Sequence, residues 1–437
     1  MEATLQEILE ARERRAEKQK QLLAQYGKTL VCFTMNIPGP IKYDALVAEG
    51  FRIGCEKLEA QLGAMGYPVV YSQRLPRHTG CEAFYAVDAA PEKVKALTVA
   101  IEEERPLGRL FDMDVLTPEG KKLERSEERK CLLCDASARV CGPTRAHSAQ
   151  QLRARATEIL LEAIRSRQSR ELGALASQAL LYEACTAPKP GLVDRLGTGS
   201  HNDMDIFTFM ASTAALQPYF ADCARYGMEG KSFEALRHLG REAQGVMEKA
   251  TVGVNTHKGA IFSLGILACA AGRLEGEGRK DPGEICREAA QLCAGITDEL
   301  ISVTEETART AGERLYLRHG ITGIRGQAAE GFPAVLHTGL PVLEEGIALG
   351  FSLERAGCGA LLAMLTATAD TNLIARSDRE TAAAITRQVA LLIAKDRYPD
   401  RQTLEALDEV FVSKNLSIGG TADLLAATYF LYLLKQS

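Results

Sequence analysis

The sequence predicts a multidomain protein, an α+β domain followed by an all-α domain. Three observations carry this. Strand-like and helix-like stretches alternate up to about Leu152, and from there strand signals vanish. The 437 residues are long for one compact core. Aromatics are only 6% and Trp is absent, so the core must rest on Leu, Ala, Ile and Val, which leans helical. The charged run Arg165-Ser166-Arg167-Gln168-Ser169-Arg170 marks the boundary and divides the chain into 1–165 and 166–437.

The elements follow in order. Residues 3–26 carry Leu5, Ile8 and Leu9 among many charges, an exposed amphipathic helix ending near Gly27. Residues 30–35 are a buried strand stopped by Pro38-Gly39-Pro40. Tyr43 to Met65 is helical. Val69 to Arg74 and Ala83 to Val87 are strands around a turn at His78-Thr79-Gly80. Pro91 suits the first turn of a helix running to about Glu104. Gly108 to Leu116 is a strand turning at Pro118-Glu119-Gly120. Beyond the boundary roughly ten helices are expected, each seldom beyond five turns, with polar Gly-rich loops between them.

Composition narrows the function. A net charge of -5 gives no global attraction to nucleic acid or to an acidic membrane, so phosphate binding has to be local. Twelve scattered cysteines fit buried thiols in a reducing cytoplasm. The charged start lacks the apolar core of a signal peptide, and residues 424–434 are too short to span a bilayer.

In the first half, Asp112 and Asp114 alternate with Phe111, Met113 and Val115, so both carboxylates project from one strand face. They suit Mg²⁺ on a polyphosphate, or they are solvated aspartates of an edge strand. Arg109 falls on the Phe111 face by alternation and reaches the carboxylates only if the strand bends or ends there. Asn36-Ile37-Pro38-Gly39-Pro40-Ile41-Lys42 is a phosphate or ribose contact, or a plain turn before a helix. Cys131-x2-Cys134-x6-Cys141-x5-His147 offers three soft ligands and an imidazole. It reads as a structural zinc set or as reduced thiols packing a loop.

These motifs, with Ile101-Glu102-Glu103 and the run from Pro106 to Val115 in the same order, resemble the CitX family, the holo-acyl-carrier-protein synthase of citrate lyase. The similarity runs over most of 5–155. It implies a nucleotidyltransferase-like domain. That domain would transfer a phosphoribosyl-dephospho-CoA group to a serine of the citrate lyase acyl carrier protein (gamma subunit) and release pyrophosphate. The paired aspartates suit the metal of that reaction, so Asp112 and Asp114 are assigned as catalytic metal ligands, and Asn36, Lys42 and Arg109 as substrate contacts. The tail Cys141-Gly142-Pro143-Thr144-Arg145 departs from the family, which tends to place a further Arg after the Cys.

In the second half, Pro188 to Asp205 is almost all turn formers and ionisable groups between apolar helices, a site or a charged capping loop. Asp203 and Asp205 differ by two and would not face each other on a helix; one of them suits a helix N-cap. Asn255-Thr256-His257-Lys258-Gly259 precedes an apolar helix, an anion site or an ordinary N-cap. His319 to Pro333 is a long Gly-rich loop in which Arg325 could clamp a phosphate. Asp370-Thr371-Asn372 interrupts two apolar helices, and Asn415 to Asp423 opens the last one. Five polar segments between helices predict one cluster at one end of a bundle.

In this order the motifs resemble the CitG family, the triphosphoribosyl-dephospho-CoA synthase of the citrate lyase system, over about 170–437. Ser417-Ile418-Gly419-Gly420 departs where the family often has Pro before the glycines. The implied reaction joins ATP to 3'-dephospho-CoA and releases adenine. On that basis Asp203, Asp205 and Asp370 are assigned to Mg²⁺. Lys189, Lys258 and Arg325 hold phosphates, and Asp194, Asn255, Gly419 and Gly420 line the substrate. His201, His257 and Glu330 are acid, base or hydroxyl-positioning groups. The joint reading is a bifunctional transferase. Its rivals are a Mg²⁺-dependent ribosyl hydrolase, the malonate decarboxylase counterpart that shares much of this pattern, and a scaffold that docks the carrier protein.

Overall fold

A computed structural model describes residues 2–437 apart from Arg105, Asp135, Arg145 and Glu277. Arg145, the end of the departing tail, thus lies outside the described residues. The chain divides into two compact units, Met1–Ser166 and Arg167–Ser437.

In the first unit α1 (Leu5–Tyr26) starts at a Thr4–Glu7 capping box and stops at Gly27, whose φ of 59° ends the helix. It is followed by β1 (Thr29–Met35), α2 (Ala45–Ala64), β2 (Val69–Leu75), β3 (Glu82–Val87), α3 (Pro91–Glu103) and β4 (Phe111–Leu116). The four strands form an antiparallel sheet in the order β2-β3-β1-β4. One face, with Val31, Phe33, Tyr85, Phe111 and Met113, packs on Val47, Phe51 and Cys55 of α2. The other, with Leu30, Cys32, Phe84 and Leu116, packs on Leu22 and Tyr26 of α1. Every residue of β3 is buried, as a central strand covered on both sides requires, and its one charge, Glu82, pairs with Arg15.

The strand expected from Gly108 is shorter. Residues Leu107–Leu110 form a 3₁₀ turn, and β4 begins at Phe111. Gly108 sits against α3 so closely that a Cβ there would lie 2.3 Å from the Ile101 carbonyl oxygen, which forces the tight turn. Arg109 is therefore freed from the strand's alternation.

After a short helix α4 (Ala138–Thr144), the 37-residue α5 (Ala149–Cys185) runs through the charged segment read as a boundary. Arg and Gln are good helix formers, and that run contains neither Gly nor Pro to stop one. The second unit continues with α6 (Ile206–Met228), α7 (Phe233–Ala250), α8 (Lys258–Glu275), α9 (Pro282–Leu292), α10 (Asp298–Ile301), α11 (Ala311–His319) and α12 (Gly323–Ala329). Then come α13 (Leu340–Ala348), α14 (Leu353–Ala367), α15 (Thr371–Arg376), α16 (Arg379–Lys395), α17 (Arg401–Ser413) and α18 (Gly419–Gln436).

These thirteen helices after α5, among the described residues, exceed the expected ten. Short ones such as α12 and α15 lie inside stretches that read as loop. Helices α8, α14 and α18 are apolar nearly all round and form the centre of the core. No described helix is long and apolar enough to cross a membrane.

Candidate active sites

In the second unit all five polar segments meet in one cavity of about 770 Å³, within the usual size for a small-molecule site. The cavity lies at the N-termini of α8 and α18, whose first amides carry partial positive charge. Carboxylates from elsewhere in the unit answer both ends. Asp423 accepts the Ala260 amide at α8, and Asp370 accepts the Thr421 amide at α18. Gly259 makes the first contact possible, since a Cβ there would lie 1.9 Å from Asp423 Oδ2.

His257 is the most informative side chain of this cavity. It is buried, and its Nδ1 lies 2.7 Å from Ser212 Oγ, which accepts a hydrogen bond from Thr256 Oγ1 at 2.8 Å. The Ser212 contact at Nδ1 fixes the orientation of the ring. Its Nε2 is buried without a hydrogen-bond partner in the protein. Burial, with Lys189 adding to it, pushes the His257 pKa down to about 3, so the ring is neutral. A neutral imidazole whose Nε2 has no protein partner offers that nitrogen to a substrate atom.

His201 differs. Its Nδ1 faces Arg376 Nη2 at 3.2 Å and its Nε2 faces Ser417 Oγ at 3.1 Å, so both nitrogens are occupied. Burial and Arg376 lower its pKa. His201 thus lines the cavity as a wall rather than as an open base.

Asp203, Asn255, Lys258, Arg325, Glu330, Gly419 and Gly420 also line the cavity. Arg325 is held by Glu313 at 3.2 Å, and Glu313 is pulled to about 2 mainly by the Thr310 amide of its capping box.

Four assignments change. Lys189 does not line the cavity; its side chain is fully buried and its ammonium pairs with the Glu183 carboxylate. Asp194 is a loop tie, accepting from the amides of Lys189, Leu196 and Gly197. Asp205 lies outside the cavity and caps α6 through the Thr208 amide and hydroxyl. Asp370 lines the cavity, yet each of its oxygens already accepts two hydrogen bonds, which leaves no lone pair for a metal. Three groups were missed. Glu183, Asp423 and Arg376 all line the cavity. Burial and the nearby Glu183 and Asp370 charges push the Asp423 pKa up, while the Ala260 amide opposes the rise.

In the first unit Asp112 and Asp114 share the α1 side of the sheet, opposite the buried Phe111, Met113 and Val115. Each has a cation nearby: Arg129 at 3.6 Å from Asp112, and Lys122 at 2.7 Å from Asp114. Arg129 also binds the buried Glu102 at 2.6 Å, and Glu102 in turn accepts the Met113 amide. Arg109, Arg125, Arg129 and Lys130 line a cleft of about 260 Å³ with Glu102. Asn36 is exposed where β1 ends, next to the Met35–Phe111 pair, and its amide donates to Leu110. Lys42 is turned to the Ile37 carbonyl at 2.6 Å, and burial lowers its pKa. Neither Asn36 nor Lys42 lines that cleft.

The ligand atoms of Cys131, Cys134, Cys141 and His147 all lie within 4.8 Å of one another, close enough to hold a metal ion. Among the described residues no comparable carboxylate cluster occurs.

Residues 3–163 match the family CitX, apo-citrate lyase phosphoribosyl-dephospho-CoA transferase. Residues 169–437 match CitG, ATP:dephospho-CoA triphosphoribosyl transferase. The chain is 35% identical to Protein CitXG of Haemophilus influenzae, over 98% of this chain and 95% of that one. It is 33% identical to Protein CitXG of Leuconostoc mesenteroides, over 99% and 97%. The second unit alone is 40% identical to the 2-(5''-triphosphoribosyl)-3'-dephosphocoenzyme-A synthase of Pectobacterium atrosepticum, over 59% of this chain and 86% of that one. The chain therefore belongs to the CitXG family of transferases, a CitX domain followed in one polypeptide by a CitG domain.

Proposed function

We propose that the chain builds the citrate lyase prosthetic group and attaches it, one step per unit. In the second unit the ATP ribose C1' loses adenine and gains the 2'-oxygen of 3'-dephospho-CoA. One observation carries the reading: a buried histidine with an unpaired Nε2, the Asp423 carboxyl and several cations converge on a single cavity. His257 Nε2 orients a substrate nitrogen or oxygen. Asp423 supplies a proton to the departing adenine. Glu330, exposed on the cavity wall, takes the proton of the attacking hydroxyl. Lys258, Arg325 and Arg376 hold phosphates.

Mg²⁺ neutralises the triphosphate when bound. With Asp205 and Asp370 otherwise engaged, Asp203 is the one of the three assigned aspartates left to meet an ion that arrives on ATP.

The first unit reads as nucleotidyltransferase-like. The carrier serine oxygen bonds to the phosphorus next to the ribose, and pyrophosphate leaves. Asp112 and Asp114 would hold Mg²⁺ there once it displaces Lys122, with Arg129 still tied to Glu102. Zinc fits the Cys131, Cys134, Cys141 and His147 set. Twelve free thiols favour the cytoplasm.

The test is mass spectrometry of the apo carrier after incubation with the chain, ATP, Mg²⁺ and dephospho-CoA. The expected result is a mass gain of one phosphoribosyl-dephospho-CoA and release of adenine. An unchanged carrier sinks the bifunctional reading. Adenine release at the same rate without dephospho-CoA supports the hydrolase instead, and loading of a malonate decarboxylase carrier alone supports that counterpart.

A further inference from the structure

We propose that one zinc ion, held by Cys131, Cys134, Cys141 and His147, keeps Arg109 and Arg129 in place at the transfer site. Carrier loading then depends on zinc, and precursor synthesis does not. The inference rests on the transfer reaction proposed above for the first unit.

The spacing fits zinc. Cys134 Sγ lies 3.5 Å from Cys141 Sγ and 3.3 Å from His147 Nε2. Tetrahedral zinc with bonds of about 2.3 Å to sulfur and 2.0 Å to nitrogen separates such ligand atoms by roughly 3.5–3.8 Å. The Leu133 amide donates to Cys131 Sγ at 3.5 Å, a bond suited to a sulfur that carries negative charge. Four protein ligands fill a tetrahedron and leave no position for substrate, so the ion's role is structural.

The backbone around the cluster is a tight return. The Cys131 amide donates to the Ala136 carbonyl at 2.7 Å, and the Ala138 amide to the Arg129 carbonyl at 2.8 Å. This return presents two carbonyls, of Lys130 and Cys131, to the guanidinium of Arg109. Arg129 is two residues before Cys131 and reaches Glu102 and Asp112. Both arginines line the cleft of the first unit. Among its described residues the segment from Arg125 to Ser148 holds little regular structure besides α4, so few main-chain bonds would keep it in register alone. A zinc ion supplies the missing constraint, because structural zinc binding is folding free energy for the loop that carries its ligands.

The experiment uses the full chain, purified without chelator, and measures zinc by inductively coupled plasma mass spectrometry. The expected content is about one zinc per chain, falling at least tenfold in Cys134→Ser. Stripping with a chelator should cut carrier loading, with preformed precursor supplied, by about tenfold or more, while adenine release stays within twofold. Added Zn²⁺ should restore loading to the stripped wild type and not to Cys134→Ser. Zinc-free protein that loads carrier at the normal rate overturns the inference and leaves the proposed function standing. Wild type that never loads carrier fails the function, while its zinc content still decides the site.

Discussion

Asp370 Oδ2 accepts both the amide and the hydroxyl of Thr421 at 2.7 Å each, while Oδ1 caps α15 through Asn372 and Leu373. One carboxylate thus fastens two helix starts on the cavity wall. Burial raises its pKa, and the four donors pull against that rise. Asp370→Asn turns an amide group toward donors and should destabilise the second unit by about 1–3 kcal/mol in urea unfolding. The Mg²⁺ concentration giving half-maximal adenine release should stay unchanged. Normal stability with lost Mg²⁺ saturation would restore the metal-ligand role.

Ser212 does not itself line the cavity, yet it holds two residues that do, His257 through Nδ1 and Thr256 through its hydroxyl. Ser212→Ala should lower the rate constant of adenine release by about 10–100-fold, with KM little changed. Ser212→Thr, which restores a hydroxyl, should recover most of it. Equal losses in both variants would point to packing alone.

The Lys189–Glu183 pair is buried on both sides, with side-chain exposures of 0% and 4%. Burial raises the Glu183 pKa and the Lys189 charge opposes it. Lys189→Met strands the carboxylate and should cost roughly 3–5 kcal/mol. The double variant Lys189→Met/Glu183→Leu should regain most of that stability, because neither charge then remains buried. Thermal melting of the four proteins in the cycle decides the matter.

Acid should act through His257. Its folded pKa of about 3 lies below the ordinary 6.5, so the unfolded chain takes up the proton first. The stabilising term is whole above pH 6.5 and shrinks as pH falls toward 3. By pH 5 the loss is about 2 kcal/mol. Glu183, Asp370 and Asp423, with raised pKa values, act in the opposite direction, so the comparison with His257→Gln isolates the histidine. A constant stability difference between the two proteins from pH 7 to 5 would contradict the neutral, buried ring.

Much of this was legible in the sequence. Alternation placed Phe111, Met113 and Val115 inward and the two aspartates outward. Turn formers between apolar helices marked the five segments that line the cavity. The roles of single carboxylates were less legible, because an Asp before a helix reads the same whether it meets a metal or a backbone amide. Asp205 and Asp370 both cap helices, and only the fold reveals which donors reach them. Asp423 closed a motif already singled out, but its proximity to Ala260 joins helices more than 160 residues apart in sequence. Lys189 read as a phosphate ligand because its partner Glu183 lies upstream, on the last turns of α5, where nothing local signals a buried acid.

The absent side chain at Gly259 has a genetic consequence. Any larger residue meets the Asp423 carboxylate and must push it aside, so a single alanine codon there should impair the second site without altering a residue of the first unit. A strain carrying that allele should still complement a defect in carrier attachment when another chain supplies the precursor. It should fail to complement a defect in precursor synthesis.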